Sequence, residues 1–389
     1  MPGFELIGKE EQAAVNDVFE HSNGVLFAHG FDALRKGRFR VRELERAFGA
    51  YFGGAYVQAV TSGTMAQYVA MKALQIQPGD EVITQAFTFV ATAEVILALG
   101  AVPVIVDIDD TFNMDPKPLE AAISARTRLI IPVHMLGNPA RMEQINSIAA
   151  KHNIPVLEDA CEALGASYHG KKTGTIGKMG IFSLDFGKTI TTGEGGLIVT
   201  KDATLFEHAR EYHDHGHENA PSLPRGRDTR SFPGLNLRMM ELQAAVGLEQ
   251  LMKLDNIVAT NRANKRILKG MLAQCNKIQF RTLTDEEGDL ADTLIFSFER
   301  RKCADAFVRC LAEAGMGTKN VPDAIDWHFS GTWDHMFSKG SIYHGRNRTA
   351  WAKSAELLYR SVALPIMVKR STGEMQRQAE TILKILQTI

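Results

Sequence analysis

Cysteine is scarce in this chain: four in 389 residues, at positions 161, 275, 303 and 310, with no Cys-x-x-Cys among them. So few, so scattered, they exclude a disulfide framework and fit a reducing, cytoplasmic setting. Long hydrophobic runs are missing as well. The longest, Val95 to Val106 (VILALGAVPVIV), is too short and too broken by Gly100 and Pro103 to cross a bilayer. The opening MPGFELIGKEE carries acids early and lacks a basic-then-apolar pattern, so no secretory signal is expected. Charge of one sign is absent too: 44 Lys+Arg against 45 Asp+Glu gives 44 − 45 = −1. A general nucleic-acid or polyanion binder, which needs a basic face, is thereby excluded. No repeat or low-complexity segment interrupts the chain. What is present is a composition of 45% hydrophobic and 23% charged residues, enough for a large core. At about 150 residues per domain, the length suggests two or three domains, and the whole reads as an enzyme.

Helix and strand alternate. Thr64–Leu74 reads as a helix, Glu81–Thr84 as a short strand, and Phe89–Gly100 as a helix stopped by glycine. Pro103–Val106 and Leu129–Val133 read as strands, Met142–His152 as a helix, and Pro155–Leu157 as a strand ending in Glu158-Asp159. Gly180–Leu184 and Gly196–Thr200 complete the series. Strands that are apolar throughout suit a mainly parallel sheet covered on both faces, the α/β layered class. Ligands gather at the carboxyl ends of such strands. Residues 213–235, rich in His, Pro, Gly and Arg, read as a long functional loop, because a helical pattern (Met240–Leu254) resumes directly after it. The character changes after Asn256, which predicts a large domain over 1–255 and a smaller α+β domain over 256–389. The first twenty or so residues are expected to be able to pack with the smaller one.

Three features carry chemistry. Thr61-Ser62-Gly63-Thr64 opens a helix, where backbone N–H groups and the positive dipole end suit a phosphate; an ordinary N-cap is the plain alternative. Glu158-Asp159 ends a buried strand, where a carboxylate can meet a cationic ring nitrogen, a metal, or merely a structural partner. Lys188 stands in Ser183-Leu-Asp-Phe-Gly-Lys188-Thr-Ile-Thr-Thr-Gly193, hemmed by apolar and hydroxyl residues. Partial desolvation there would lower its pKa and make its amine a nucleophile toward carbonyls, against the alternative of a surface lysine. A phosphate cradle, an acid for a pyridinium nitrogen and a Schiff-base lysine are together what pyridoxal 5'-phosphate (PLP) requires of a protein.

The ordered motifs SGT at 62–64, FTFVAT at 87–92, PVHMLG at 132–137, LEDACEALG at 157–165, FSLDFGKTITTGEGG at 182–196 and GLNLRMMELQAA at 234–245 resemble the DegT/DnrJ/EryC1/StrS sugar aminotransferases. That resemblance implies a PLP-dependent transferase of fold type I, with an α/β/α sandwich and a smaller C-terminal domain. It further implies that Lys188 holds the cofactor, Asp159 faces the pyridine nitrogen, and Phe89 stacks on the ring. Ser62, Gly63, Thr64 and Ser183 would bind the phosphate, and Asn236 would reach it from the neighbouring subunit of a homodimer. Glu162 departs from the family's usual Gln or His; a carboxylate beside the cofactor's phenolate oxygen would repel it unless protonated or turned away. Retention of Lys188 excludes the 3-dehydratase branch, which has histidine there, and the scattered cysteines exclude the iron–sulfur branch.

A finer resemblance, in the opening segment, FAHGFDALRKGRFRVRELE, HDHGHE and DWHFSGTWDHM, is to transaminases that aminate the C8 aldehyde of a Kdo-type 3-deoxy-octulosonate with glutamate, in lipopolysaccharide biosynthesis. The alternatives are a nucleotide-linked keto-deoxysugar as acceptor and a non-catalytic PLP-binding regulator. His134, His215, Arg225, Arg227 and Arg230 are candidates for substrate contact, arginine being the natural clamp for a carboxylate. His213, His215 and His217 alternate in a loop without a fixed ligand geometry, so no metal site is expected. The tryptophans of DWH (326–328) and TWDH (332–335) read as core or lid packing ahead of sugar stacking.

Overall fold

A computed structural model describes residues 3–220, 222–337 and 341–389. Nine strands occupy the first two hundred residues: β1 (Tyr56–Val60), β2 (Glu81–Gln85), β3 (Val102–Val106), β4 (Thr127–Ile130), β5 (Leu157–Asp159), a small hairpin of β6 (Ser167–Tyr168) and β7 (Lys171–Lys172), β8 (Met179–Ser183) and β9 (Gly196–Thr200). The helices among and around them are α1 (Lys9–His21), α2 (Arg40–Tyr51), α3 (Gly63–Ala73), α4 (Ala91–Ala98), α5 (Pro116–Ala122), α6 (Met142–Lys151) and α7 (Ala203–Tyr212).

β2 pairs in parallel with β3 and β4, and β5 in parallel with β8. The bridges Ile130–Val156 and Val133–Asp159 join the two groups, giving the order β3-β2-β4-β5-β8-β9-β1. Only β9 is reversed, antiparallel to both β8 and β1. Every residue of β2, β8 and β9 is buried, as the unbroken apolar runs require of a sheet covered on both faces. On one side α3 packs Val69, Ala70 and Met71 against Val82, Ile181 and Ile198. On the other, Phe48, Phe52 and Leu254 meet Phe182, with the Phe52 and Phe182 rings stacked at 4.9 Å.

α8 (Glu241–Leu272) is the long element of the molecule. Leu254 and Ile257 belong to the sheet core, while Leu268 and Leu272 belong to a second core around the antiparallel strands β10 (Ile278–Phe280), β11 (Thr293–Phe298) and β12 (Ser361–Pro365). The helical pattern therefore continues far beyond Leu254, and the change of character at Asn256 marks a helix passing from one core to the next, with no linker there. Helices α9 (Arg301–Glu313), α10 (Ile325–His328), α11 (Asn347–Ala350), α12 (Ala352–Tyr359) and α13 (Thr372–Thr388) complete the chain. The opening residues touch both parts. Glu5 accepts the amides of Val368 and Lys369, α1 sends Glu11 to Lys253 of α8 at 2.6 Å, and the Gly3 amide donates to the Lys188 carbonyl at 3.1 Å.

Candidate active site

A cleft of about 460 Å³ opens at the carboxyl ends of the parallel strands, lined by Ser62, Gly63, Thr64, Phe89, Asp159, Glu162, Ser183 and Lys188 together. Each arrives by a local rule. β1 ends at Val60 and Ser62 caps α3, its hydroxyl accepting the Met65 amide at 3.2 Å. First-turn amides such as those of Gly63 and Thr64 have no carbonyl of a preceding turn to bond. A Cβ at Gly63 would stand 2.7 Å from the Ser183 Cβ, so glycine is what lets the helix end approach β8. Gly63→Ala should accordingly loosen phosphate binding, lowering cofactor affinity by about tenfold or more in a spectroscopic titration.

β5 turns its two acids to opposite faces, as strand alternation dictates. Asp159 faces the cleft, accepting the Cys161 amide and the Thr92 hydroxyl, each at 3.1 Å. Burial raises its pKa, the largest influence, and the bonds from Cys161 together with Lys188 and Thr92 only partly offset this. A buried carboxylate so disposed is stabilised by a cation brought beside it. Glu158 turns the other way and accepts the amides of Gly174, Ile176 and Gly177 at 2.9, 2.5 and 2.5 Å. Its remaining partner is His134 Nε2 at 3.0 Å.

This corrects the expectation for His134. The ring is fully buried, its Nδ1 accepts the Ala140 amide at 2.9 Å, and it does not line the cleft. It is a strut of the fold. Glu158→Ala should strand three amides and cost about 3–5 kcal/mol of stability, read as a lowered Tm, with cofactor binding per folded molecule little changed.

Lys188 occupies the turn after β8, where Asp185 accepts the Gly187 amide and the Asp185 carbonyl accepts the Lys188 amide. Burial depresses its ammonium pKa, the largest single effect, yet Glu162, Cys161, Asp185 and Asp159 outweigh it and the net shift is upward. In the chain alone, then, desolvation does not yield a free amine. Glu162 stands 3.8 Å from Lys188 Nζ, accepts the Leu136 amide at 3.1 Å, and receives Asn320 at 3.3 Å. Burial pushes Glu162 up, but Lys188, His328, Lys319 and the Leu136 amide hold it below the ordinary carboxylate range. It is an ionised, anchored carboxylate.

The remaining candidates lie outside the cleft of their own chain. His215, Arg227 and Arg230 are exposed in the 213–235 loop, and Asn236 is exposed beside it; none lines the cleft of its own chain. Arg225 is spoken for by Asp214, donating to both of its oxygens at 2.6 Å, so it is not a free clamp for a substrate carboxylate. Asp214 is buried, which pushes its pKa up, but His29 at 3.1 Å and Arg225 outweigh this and hold it far below the ordinary range; Arg238 meets it too. His213, His215 and His217 diverge: His213 is buried against Gln58 at 3.2 Å, His217 faces Asp228 at 3.3 Å, and His215 is exposed. Among the described residues no group of three metal-ligating side chains converges.

Burial pushes His213 down to about 4, while neighbouring Glu45, which accepts the Ala59 amide, is pushed up to about 7 by desolvation. Across the interval from 4.5 to 6.5 the depressed histidine makes stability fall as pH falls, and the raised glutamate does the reverse, so the two offset. The direct readout is NMR: the His213 imidazole should stay neutral between about pH 5 and 8.

Four site residues carried no readable signal or only a faint one. Thr92, which holds Asp159, stood inside a recognised motif without an assigned task. Cys161 offers Asp159 both its backbone amide and its thiol, where the sequence suggested only packing. Asn320 and His328 come from the far end of the chain to meet Glu162, and no local pattern announces such a contact.

A phosphate at the start of α3, a cationic ring nitrogen at Asp159 and a carbonyl carbon at Lys188 are parts of one molecule, and the sheet that presents them is that of the fold type I PLP-dependent transferases. The chain belongs to the DegT/DnrJ/EryC1/StrS aminotransferase family, which it matches over residues 9–383. It is 44% identical over 224 residues to GDP-perosamine synthase of Caulobacter vibrioides, a match covering 57% of this chain and 59% of that one. It therefore spans about three fifths of the length of such curated relatives. Among solved structures it superposes on 3-amino-5-hydroxybenzoic acid synthase with a TM-score of 0.85 at 28% identity, covering 100% of this chain and 99% of the other. It superposes on an aminotransferase from Psychrobacter cryohalolentis with a TM-score of 0.87 at 26% identity, covering 98% of each. PLP is the cofactor of this family.

Proposed function

We propose that the protein is a transaminase that moves an amino group from glutamate to the carbonyl of a sugar. One observation carries the reading: Lys188, Asp159 and the capped start of α3 face a single cleft large enough for a cofactor and a small substrate. PLP supplies an electron sink there once its ring nitrogen is protonated. Ser62, Gly63, Thr64 and Ser183 would hold the phosphate, and Phe89 the ring face. Asp159 keeps the ring proton in place by offering a buried negative charge. Lys188 would hold the cofactor through its carbonyl carbon, and its freed amine would be the group that moves a proton at the amino-acid Cα. Glu162 balances the charge of Lys188 and, being anchored to the Leu136 amide, keeps its place as that charge changes. A non-catalytic regulator would need none of these groups in concert.

For the acceptor, the resemblance of the opening segment and the HDHGHE loop supports the C8 aldehyde of a 3-deoxy-octulosonate. The likeness to GDP-perosamine synthase supports a nucleotide-linked ketosugar as the second reading. Single-turnover assays of the amine-loaded protein with each acceptor distinguish them: the true acceptor restores the starting absorbance and the other does not. We further propose a homodimer in which Asn236 completes the phosphate site of the neighbouring subunit. Asn236→Ala should then weaken cofactor binding by about tenfold, with the protein still dimeric by light scattering.

A further inference from the structure

Glu162 sits where the two parts of the molecule meet. The Leu136 amide reaches it from the segment after β4, while Asn320 and His328 reach it from the C-terminal part at 3.3 and 3.9 Å. An ionised carboxylate 3.8 Å from a buried ammonium is drawn toward direct contact at about 2.8 Å, where the attraction is stronger. Its tethers hold it short of that contact. The charged groups around the pair are His328 and Lys319 on the side of Glu162, Lys319 being itself bonded to Asp292 at 2.6 Å. On the side of Lys188 they are Asp159, Asp185 and the Cys161 thiol.

The Leu136 tether is held from outside. Leu136 has φ +51°, in the left-handed region that a bulky side chain avoids, and Gly137 follows at φ +75°. The carbonyls of Met135 and Leu136 both accept from Arg281, at 3.0 and 2.6 Å, one on each terminal nitrogen. The Met135 carbonyl and the Leu136 N–H belong to one planar peptide and point opposite ways, so gripping the first aims the second at Glu162. Arg281 follows β10 directly, and its amide donates to the Ile295 carbonyl of β11 at 3.1 Å, so the guanidinium is mounted on a hydrogen-bonded sheet. It is almost wholly buried and lies outside the cleft. Asp289 faces it at 3.6 Å and is also bonded to Lys265 at 2.5 Å.

We infer that Arg281 is a positioning residue for the reaction at Lys188: by gripping the Met135–Leu136 peptide it keeps Glu162 short of direct contact with the Lys188 amine, which leaves that amine able to release its proton. The inference rests on the proposed role of Lys188 and adds a residue to it. Its test is the pH dependence of Lys188 acylation by acetic anhydride in the PLP-free protein, followed by mass spectrometry of the peptide that contains residue 188. Arg281→Met leaves Asp289 its bond from Lys265, so the fold should persist. The acylation midpoint should rise by about one pH unit, and PLP uptake near neutral pH should slow by about tenfold in step. Arg281→Lys, whose ammonium lacks the planar fork, should give a smaller rise. In a Glu162→Gln background Arg281→Met should move the midpoint less than about half as far, because an amide is not drawn onto the ammonium. An unchanged or lowered midpoint in Arg281→Met would overturn the inference. So would an equal rise in both backgrounds, which would mean that Arg281 acts by its own charge. If Arg281→Met does not fold, Arg281→Lys in the same two backgrounds gives the same comparison. A wild-type protein that glutamate leaves unmoved would instead sink the transaminase reading, with the acylation midpoints still deciding the role of Arg281.

Discussion

Replacing Lys188 by alanine is expected to lower turnover by about 10⁴-fold or more, the largest effect of any single change in this molecule. The side chain has two tasks that no neighbour can assume. In the proposed reaction its amine, the only one among the described residues lining the cleft, would hold the cofactor's carbonyl carbon and, when released, would move the proton. Glu162, at 3.8 Å, is held ionised by the Leu136 amide and surrounding cations, so it is too weak a base to substitute. The fold should survive: the backbone at 188 is fixed by Asp185 and by the Gly3 amide, neither of which depends on the side chain. Melting curves near the wild type together with lost turnover are the predicted pair. Full activity in Lys188→Ala would end the mechanism.

Asp159→Asn is expected to reduce kcat by about 10²–10⁴-fold through a different route. The amide can occupy the same space but offers no negative charge, so a protonated ring nitrogen loses the partner that stabilises it. In the unliganded chain burial already raises the Asp159 pKa, which shows how costly a lone carboxylate is at this position. Removing the charge should therefore leave stability without cofactor unchanged or slightly higher while the glutamate half-reaction slows. A mutant equally slow in folding and in chemistry would point to a structural role instead. Stopped-flow absorbance on the loaded protein separates the two.

Much of this site was legible because its parts obey local rules. A serine before a glycine at a strand-to-helix junction, an acid at a strand end and a lysine before a glycine-rich turn can each be placed from neighbours in sequence. What was not legible depends on distant partners. His134 looked available until Glu158, 24 residues on, took its nitrogen. Arg225 reads as a clamp in sequence, but both of its terminal nitrogens donate to Asp214. Residue type pointed to a lowered pKa for Lys188, but the sign is set by four groups gathered around it. The proline-free run after Leu254 hid the continuation of α8, because a helix that changes cores also changes its pattern of apolar positions. Trp327 read as packing by composition alone, and only its exposure beside Phe89 sets it apart from the two buried tryptophans.

Whether Lys188 and Asp159 operate PLP as the proposed amino carrier is read from the absorbance spectrum of the purified, PLP-loaded protein before and after glutamate, then after a sugar carbonyl. The predicted course is a band near the visible edge that bleaches with glutamate, returns with the acceptor, and is absent in Lys188→Ala. A wild-type spectrum that glutamate leaves unmoved would contradict the account.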